Sequence, residues 1–176
     1  VYTAEGDHIA AWECYKKACM QGDLDTEAGF SLYAQSSFTL QKFDDAIYGY
    51  KKVIELNPNN YVALFRLGNS YYHTNRFTDA LAWYQKAAQK QPHDSKVLFN
   101  IGETYAKLGQ PEKAIGYYQK VQHETASIPQ AGLRLAECYR SLGQHAQAQE
   151  LLVAISKNTN TPDNVKFAAL SMIDHA

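Results

Sequence analysis

The sequence predicts an all-α chain of paired helices that repeat every 34 residues. Three observations carry this. Apolar residues recur at three- and four-residue spacing from 27 to 157, the pattern of amphipathic helices. Three strings align at one offset without a gap: Leu67-Gly68-x-x-Tyr71 with Ala80-x-x-x-Tyr84, Ile101-Gly102-x-x-Tyr105 with Ala114-x-x-x-Tyr118, and Leu135-Ala136-x-x-Tyr139 with Ala148-x-x-x-Leu152. Helix-ending residues stand between the helices that this alignment implies.

The full units are 27–60, 61–94, 95–128 and 129–162, and each holds a first helix over positions 1–14 and a second over 18–30. Residues 1–26 read as a partial unit. Tyr2, Gly6, Ala11, Tyr15 and Ala18 fall on positions 11, 15, 20, 24 and 27, so a first helix should end before Gly6 and a second should follow. In 61–94 the first helix should bury Leu64, Leu67, Gly68 and Tyr71, and the second Ala80, Leu81, Tyr84 and Ala87. Gly6, Asn75, Gly109 and Gly143 stand at the turns, where a left-handed residue ends a helix; Gln41 is the exception. Pro111 suits the start of a second helix, and Pro58 and Pro92 help stop the second helices before them. Residues 163–176 read as one more first helix, Val165 to His175, capping or truncated, with Ala169-Leu170 where a large-small pair is expected. The chain starts at Val1 in mid-unit, so the N-terminus reads as truncated and the whole as a fragment of a longer array.

Position 8 holds only Ala34, Gly68, Gly102 and Ala136, and position 20 only alanine, which lets paired helices approach closely. Eight of the thirteen tyrosines occupy positions 11 and 24, where a ring can pack with its hydroxyl at a polar edge. Unit 129–162 looks loosest, because Gly132 replaces the large residue of position 4 and Leu152 the aromatic of position 24.

Composition narrows the function. The net charge of −1 excludes a dominant nucleic-acid footprint. No apolar run is long enough to span a membrane. Cys14, Cys19 and Cys138 make no disulfide framework or metal pair and read as reduced packing thiols. The six histidines fall at no metal-ligand spacing, and no phosphate loop or nucleophile elbow occurs. Asp44-Asp45 complements a helix dipole, and Lys16-Lys17 and Lys51-Lys52 read as a solvated outer face. No catalysis, cofactor or metal is expected, and the chain reads as a cytoplasmic protein, more readily monomeric than not.

The run large-x-x-Leu-Gly-x-x-Tyr, Ala-x-x-x-aromatic, Pro at this period resembles the tetratricopeptide repeat family over essentially the whole chain. The resemblance implies a right-handed α-α superhelix with first helices lining a concave face. It also implies ligand contacts at positions 2, 5, 6, 9, 12 and 13 of each unit. Those columns supply a candidate groove of Arg66, Asn69, Tyr72, His73, Lys96, Asn100, Lys107, Arg134 and Arg140. Five groove residues are basic and two, Glu103 and Glu137, are acidic, so the expected partner is a peptide or protein segment of acidic or C-terminal carboxylate character. Family co-chaperones hold a C-terminal carboxylate through a five-residue clamp. This chain matches it at Asn69, Asn100 and Arg134 but has Phe65 and Gln130 where the lysines belong, which argues against that ligand.

The resemblance therefore implies a non-catalytic interaction scaffold. Two alternatives are a substrate-docking segment of a larger enzyme, such as a repeat-bearing glycosyltransferase, and a secretion or pilus-assembly chaperone. Only Asn100 at position 6 matches the asparagine ladder of such transferases.

Overall fold

The structure, a computed structural model, describes residues 4–23, 25–124 and 128–174. Tyr2 and His175 lie outside the described residues. The described residues form ten helices and no strand: α1 (Ala4–Gln21), α2 (Glu27–Thr39), α3 (Phe43–Leu56), α4 (Tyr61–His73), α5 (Phe77–Lys90), α6 (Ser95–Lys107), α7 (Pro111–Glu124), α8 (Gln130–Ser141), α9 (His145–Lys157) and α10 (Asp163–Asp174). Contacts group the chain into two compact units, Val1–Gln91 and Pro92–Ala176.

In the first unit α1 to α5 pack each on the next, and in the second α6 to α10 do the same. The turn inside each helix pair has one construction. The residue at position 15 takes a left-handed conformation: Gln41 (φ 57°), Asn75 (φ 58°), Gly109 (φ 69°) and Gly143 (φ 72°). The next N–H then reaches back to the carbonyl of position 11, as Lys42 to Ser37, Arg76 to Tyr71, Gln110 to Tyr105 and Gln144 to Tyr139, at 2.8–2.9 Å. This is the Schellman closure, which satisfies carbonyls the helix would leave open. Gln41 is thus an exception in residue type only; its backbone follows the others against the steric preference of a side chain.

First helices begin on a side-chain cap that the proline-centred reading did not include. Thr26 Oγ1 accepts from Gly29 N (3.1 Å), Asn60 Oδ1 from Ala63 N (2.9 Å) and Asp94 Oδ1 from Lys96 N (2.8 Å). Helix α8 has Pro129 in that place and no side-chain cap.

The Gly6 turn is a correction, because α1 runs unbroken through it. Glycine permits the left-handed turn conformation without requiring it, and here Gly6 continues the helix that the described residues Ala4 and Glu5 begin. Trp12 fixes α1 instead, its indole N–H donating to Asp45 Oδ2 at 3.1 Å under the ammonium of Lys42.

Within pairs, small residues admit large ones. A Cβ built on Gly68 would lie 2.5 Å from the Tyr84 ring, and one on Gly102 2.7 Å from the Tyr118 ring. In α2–α3 the close approach comes from the other side, where Gly49 faces Ala34. Leu81 is half-buried rather than buried, while Ala80, Tyr84 and Ala87 carry the α5 contact. At Gly132 the space of the missing side chain is taken by the ends of Ile155 and Gln122, and Leu152 is buried with Ala136, Ala148 and Ala169. A cavity of about 310 Å³ remains beside Gly132. Ala169 is the small residue that packs α10 down, which turns Leu170 and Phe167 outward.

Candidate functional site

In the first unit, Arg66 projects from an exposed position on α4, one turn before Asn69. Its guanidinium lies 5.6 Å from the centre of the Phe38 ring. No carboxylate among the described residues pairs with it. It also sits close enough to the buried Tyr50 hydroxyl to oppose, in part, the rise that burial causes there, to about 12. Asn69 accepts a 2.7 Å bond from the Tyr84 hydroxyl, so its amide oxygen is committed to holding that ring. His73 stacks on Phe43 at 4.7 Å, and both rings stand edge-on to Phe38 at 5.6 and 5.5 Å. Tyr72 packs against Phe77 at 5.3 Å. Phe65 stacks on Tyr61 and leans on Tyr84, so it serves internal packing.

In the second unit, Arg134 occupies the repeat position of Arg66 in a different electrostatic setting. Its Nε lies 3.1 Å from Glu103 on α6, and its Nη1 donates to both oxygens of Glu137 at 3.1 and 2.8 Å. The Glu137 bond and the two carboxylates hold the guanidinium charged beyond its ordinary range. Glu103 also accepts from the Tyr118 hydroxyl at 2.6 Å. Burial first, then this bond and charge, push Tyr118 far above the usual phenol range. Burial, with help from Glu137 and Glu103, raises the Cys138 thiol to about 11, so it stays protonated and is a poor nucleophile.

Around this network α6, α7 and α8 enclose a cleft of about 480 Å³, lined by Glu103, Ala106, Lys107, Pro111, Tyr118 and Arg134 among others. On the other side of the Arg134–Glu137 pair, α8 and α10 form a second cleft of about 390 Å³ with Leu133, Ala168, Ser171 and Met172. Lys107 is exposed at the first cleft and Lys96 is exposed on the first turn of α6. Asn100 is half-buried on the same helix. Arg140 donates from its Nη1 to the Met172 carbonyl at 3.2 Å and ties down the last turn of α10.

The predicted residues are therefore not one basic stripe. Among the described residues Arg66 is uncompensated, Arg134 is neutralised, Asn69 and Arg140 make packing contacts, and Lys96 and Lys107 face solvent. The carboxylates at Arg134 were visible in the sequence as single acidic residues. The Arg134–Glu137 spacing of three on one helix was the available signal. Cys14 corrects the packing-thiol reading, since it is exposed, while Cys138 is buried.

Among the described residues, no three His, Cys, Asp or Glu side chains are grouped to hold a metal, and no helix is long and apolar enough to cross a membrane. Three profiles, each described as tetratricopeptide repeat, match residues 34–95, 83–116 and 105–170. The chain belongs to the tetratricopeptide repeat family. Solved structures of similar fold agree. The crystal structure of MamA matches with a TM-score of 0.78 at 18% identity, covering 97% of this chain and 93% of that one. YrrB, described as a tetratricopeptide-repeat protein with an unusual peptide-binding site, matches at TM-score 0.69 and 18% identity over 93% and 86%. The thermophilic repeat protein TTC0263 of Thermus thermophilus matches at 0.66 and 18% over 94% and 90%. No curated protein sequence matches the chain. Tetratricopeptide repeats form a scaffold for protein interactions, and the family assignment places this chain among such scaffolds.

Proposed function

We propose that the chain is a non-catalytic scaffold that holds a segment of a partner protein against the faces of its first helices. The observation that carries this is the α6–α8–α10 face, where two adjoining clefts of about 480 and 390 Å³ flank the Arg134–Glu137 bridge. Side chains spaced along an extended segment could enter them in turn while backbone groups meet the polar ridge between. The acidic character expected of the partner is assigned to Arg66, whose charge lies on an aromatic face with no carboxylate among the described residues to offset it. Lys96 and Lys107 add positive charge at exposed positions.

The test begins with a partner captured by site-specific photocrosslinking. It is then titrated against the wild type, Arg66→Glu, Lys107→Glu and a second-helix control, Lys52→Glu. Weakening by roughly tenfold or more in the first-helix variants alone is expected, the loss of one charge-assisted bond. Unchanged binding in those variants with failure of Lys52→Glu would place the partner on the outer helices and refute the proposal.

A further inference from the structure

The α6–α7–α8 cleft has an internal counterpart. Each of its lining residues has an equivalent two repeats earlier in the first unit, and the two sets differ in charge, at Glu103, Lys107 and Glu137, and in bulk. Where the cleft has Ala106, Pro111 and Ser141, the earlier set has Phe38, Phe43 and His73. Those three rings pack on one another at 4.7 to 5.6 Å and take up the corresponding place. Two members of the frame around them, the tyrosine and the arginine, are the same in both. Tyr50 and Tyr118 are both buried, each close enough to the following arginine, Arg66 or Arg134, to feel its charge. One frame is thus filled by its own aromatic side chains, and the other is open by about 480 Å³, within the range of about 300–1,000 Å³ typical of ligand sites.

We infer that the open cleft receives an aromatic side chain of the partner segment, which takes the place that Phe38 holds in the first unit. This rests on the scaffold reading above and names the residue class that it recognises. Charge supports a neutral occupant, since Glu103 and Glu137 balance Arg134 and Lys107 around the cleft. Geometry supports a ring. Arg66 lies 5.6 Å above the Phe38 ring, and Arg134, fixed by its two carboxylates, is poised to do the same for an incoming ring. A flexible aliphatic side chain would gain apolar contact but no such interaction with the guanidinium.

The probes are N-acetyl-phenylalaninamide, N-acetyl-leucinamide and N-acetyl-glycinamide, titrated into the full chain and followed by amide nuclear magnetic resonance shifts. The phenylalanine probe should give saturable shifts centred on Ala106, Lys107, Gly109 and Ser141, with a dissociation constant on the order of millimolar for so small a ligand. The leucine probe should bind several-fold more weakly and the glycine probe not at all. Ala106→Phe should keep the helical circular dichroism spectrum and lose the saturable shifts. Ala106→Leu, a smaller intrusion, should weaken them if the phenylalanine variant fails to fold. Phe38→Ala should open the counterpart and give the first unit a phenylalanine-probe site of its own. Equal shifts from leucine and phenylalanine probes, no saturable shift at the cleft, or binding unchanged by both Ala106 variants would overturn the inference. A captured partner that depends on Lys107 but ignores Ala106→Phe would overturn it while leaving the scaffold reading intact.

Discussion

Replacing Gly68 by alanine should destabilise the protein although alanine is the better helix former. In the middle of α4, propensity favours Gly68→Ala by about 1 kcal/mol. The new Cβ would stand 2.5 and 2.6 Å from two carbons of the Tyr84 ring. Normal carbon contact is about 3.5–4.0 Å, so the ring must retreat by about 1 Å or the helices must part. Tyr84 has little room, because it is 1% exposed, its hydroxyl is held by Asn69 at 2.7 Å and Phe65 leans on its face. Overpacking of this kind costs about 1–3 kcal/mol and sometimes more. The net expectation is a loss of up to about 2 kcal/mol, read by urea denaturation and by faster amide exchange across 61–90. Gly116→Ala supplies the control, since nothing lies within 4 Å of its Cβ, and should stabilise α7 by roughly 0.5–1 kcal/mol. The pairing of Ala136 with Leu152 in the last hairpin suggests the rescue: Tyr84→Leu should relieve part of the damage, with coupling in a double-mutant cycle of about 1 kcal/mol. A Gly68→Ala protein as stable as the Gly116→Ala protein would refute this account of position 8.

Thiol labelling under native conditions should modify Cys14 rapidly and Cys138 only on unfolding, as mass spectrometry of the alkylated protein would report. Stability should fall on the alkaline side: Cys138 rises from 9.0 to about 11 on folding, so its contribution is complete below pH 9 and is lost between about 9 and 11, and Cys138→Ala should flatten that part of the profile. Arg140→Met should release the Met172 carbonyl, lower stability by about 1 kcal/mol and speed amide exchange selectively in 163–174. Gln41→Gly should be neutral to stabilising by up to about 1 kcal/mol in thermal denaturation, because relief of the left-handed strain competes with the added freedom of the unfolded chain.

The fold was legible because its determinants are local and repeated. Small residues at positions 8 and 20, the ring at position 24 and the turn residue at 15 each report one contact, and four aligned copies leave little ambiguity. Gln41 shows the limit of residue type as a guide. Its turn is imposed by the packing of α2 on α3, which overrides the preference of the side chain. Gly6 shows the converse, a turn-permissive residue that α1 runs straight through.

The candidate site was less legible, because its chemistry depends on pairs of columns. Counting position 6 and position 9 separately gave a basic groove. Taken together, position 9 decides what the arginine at position 6 can do. Glu103 and Glu137 neutralise Arg134, whereas the corresponding Gln35 and Asn69 are amides and leave the charge of Arg66 in place. Position 12 acts in the same way on shape, where Phe38 fills its frame and Ala106 leaves one open. Two residues of one type at one repeat position are thus assigned different work, one to draw an acidic group and the other, already paired, to lie over a ring.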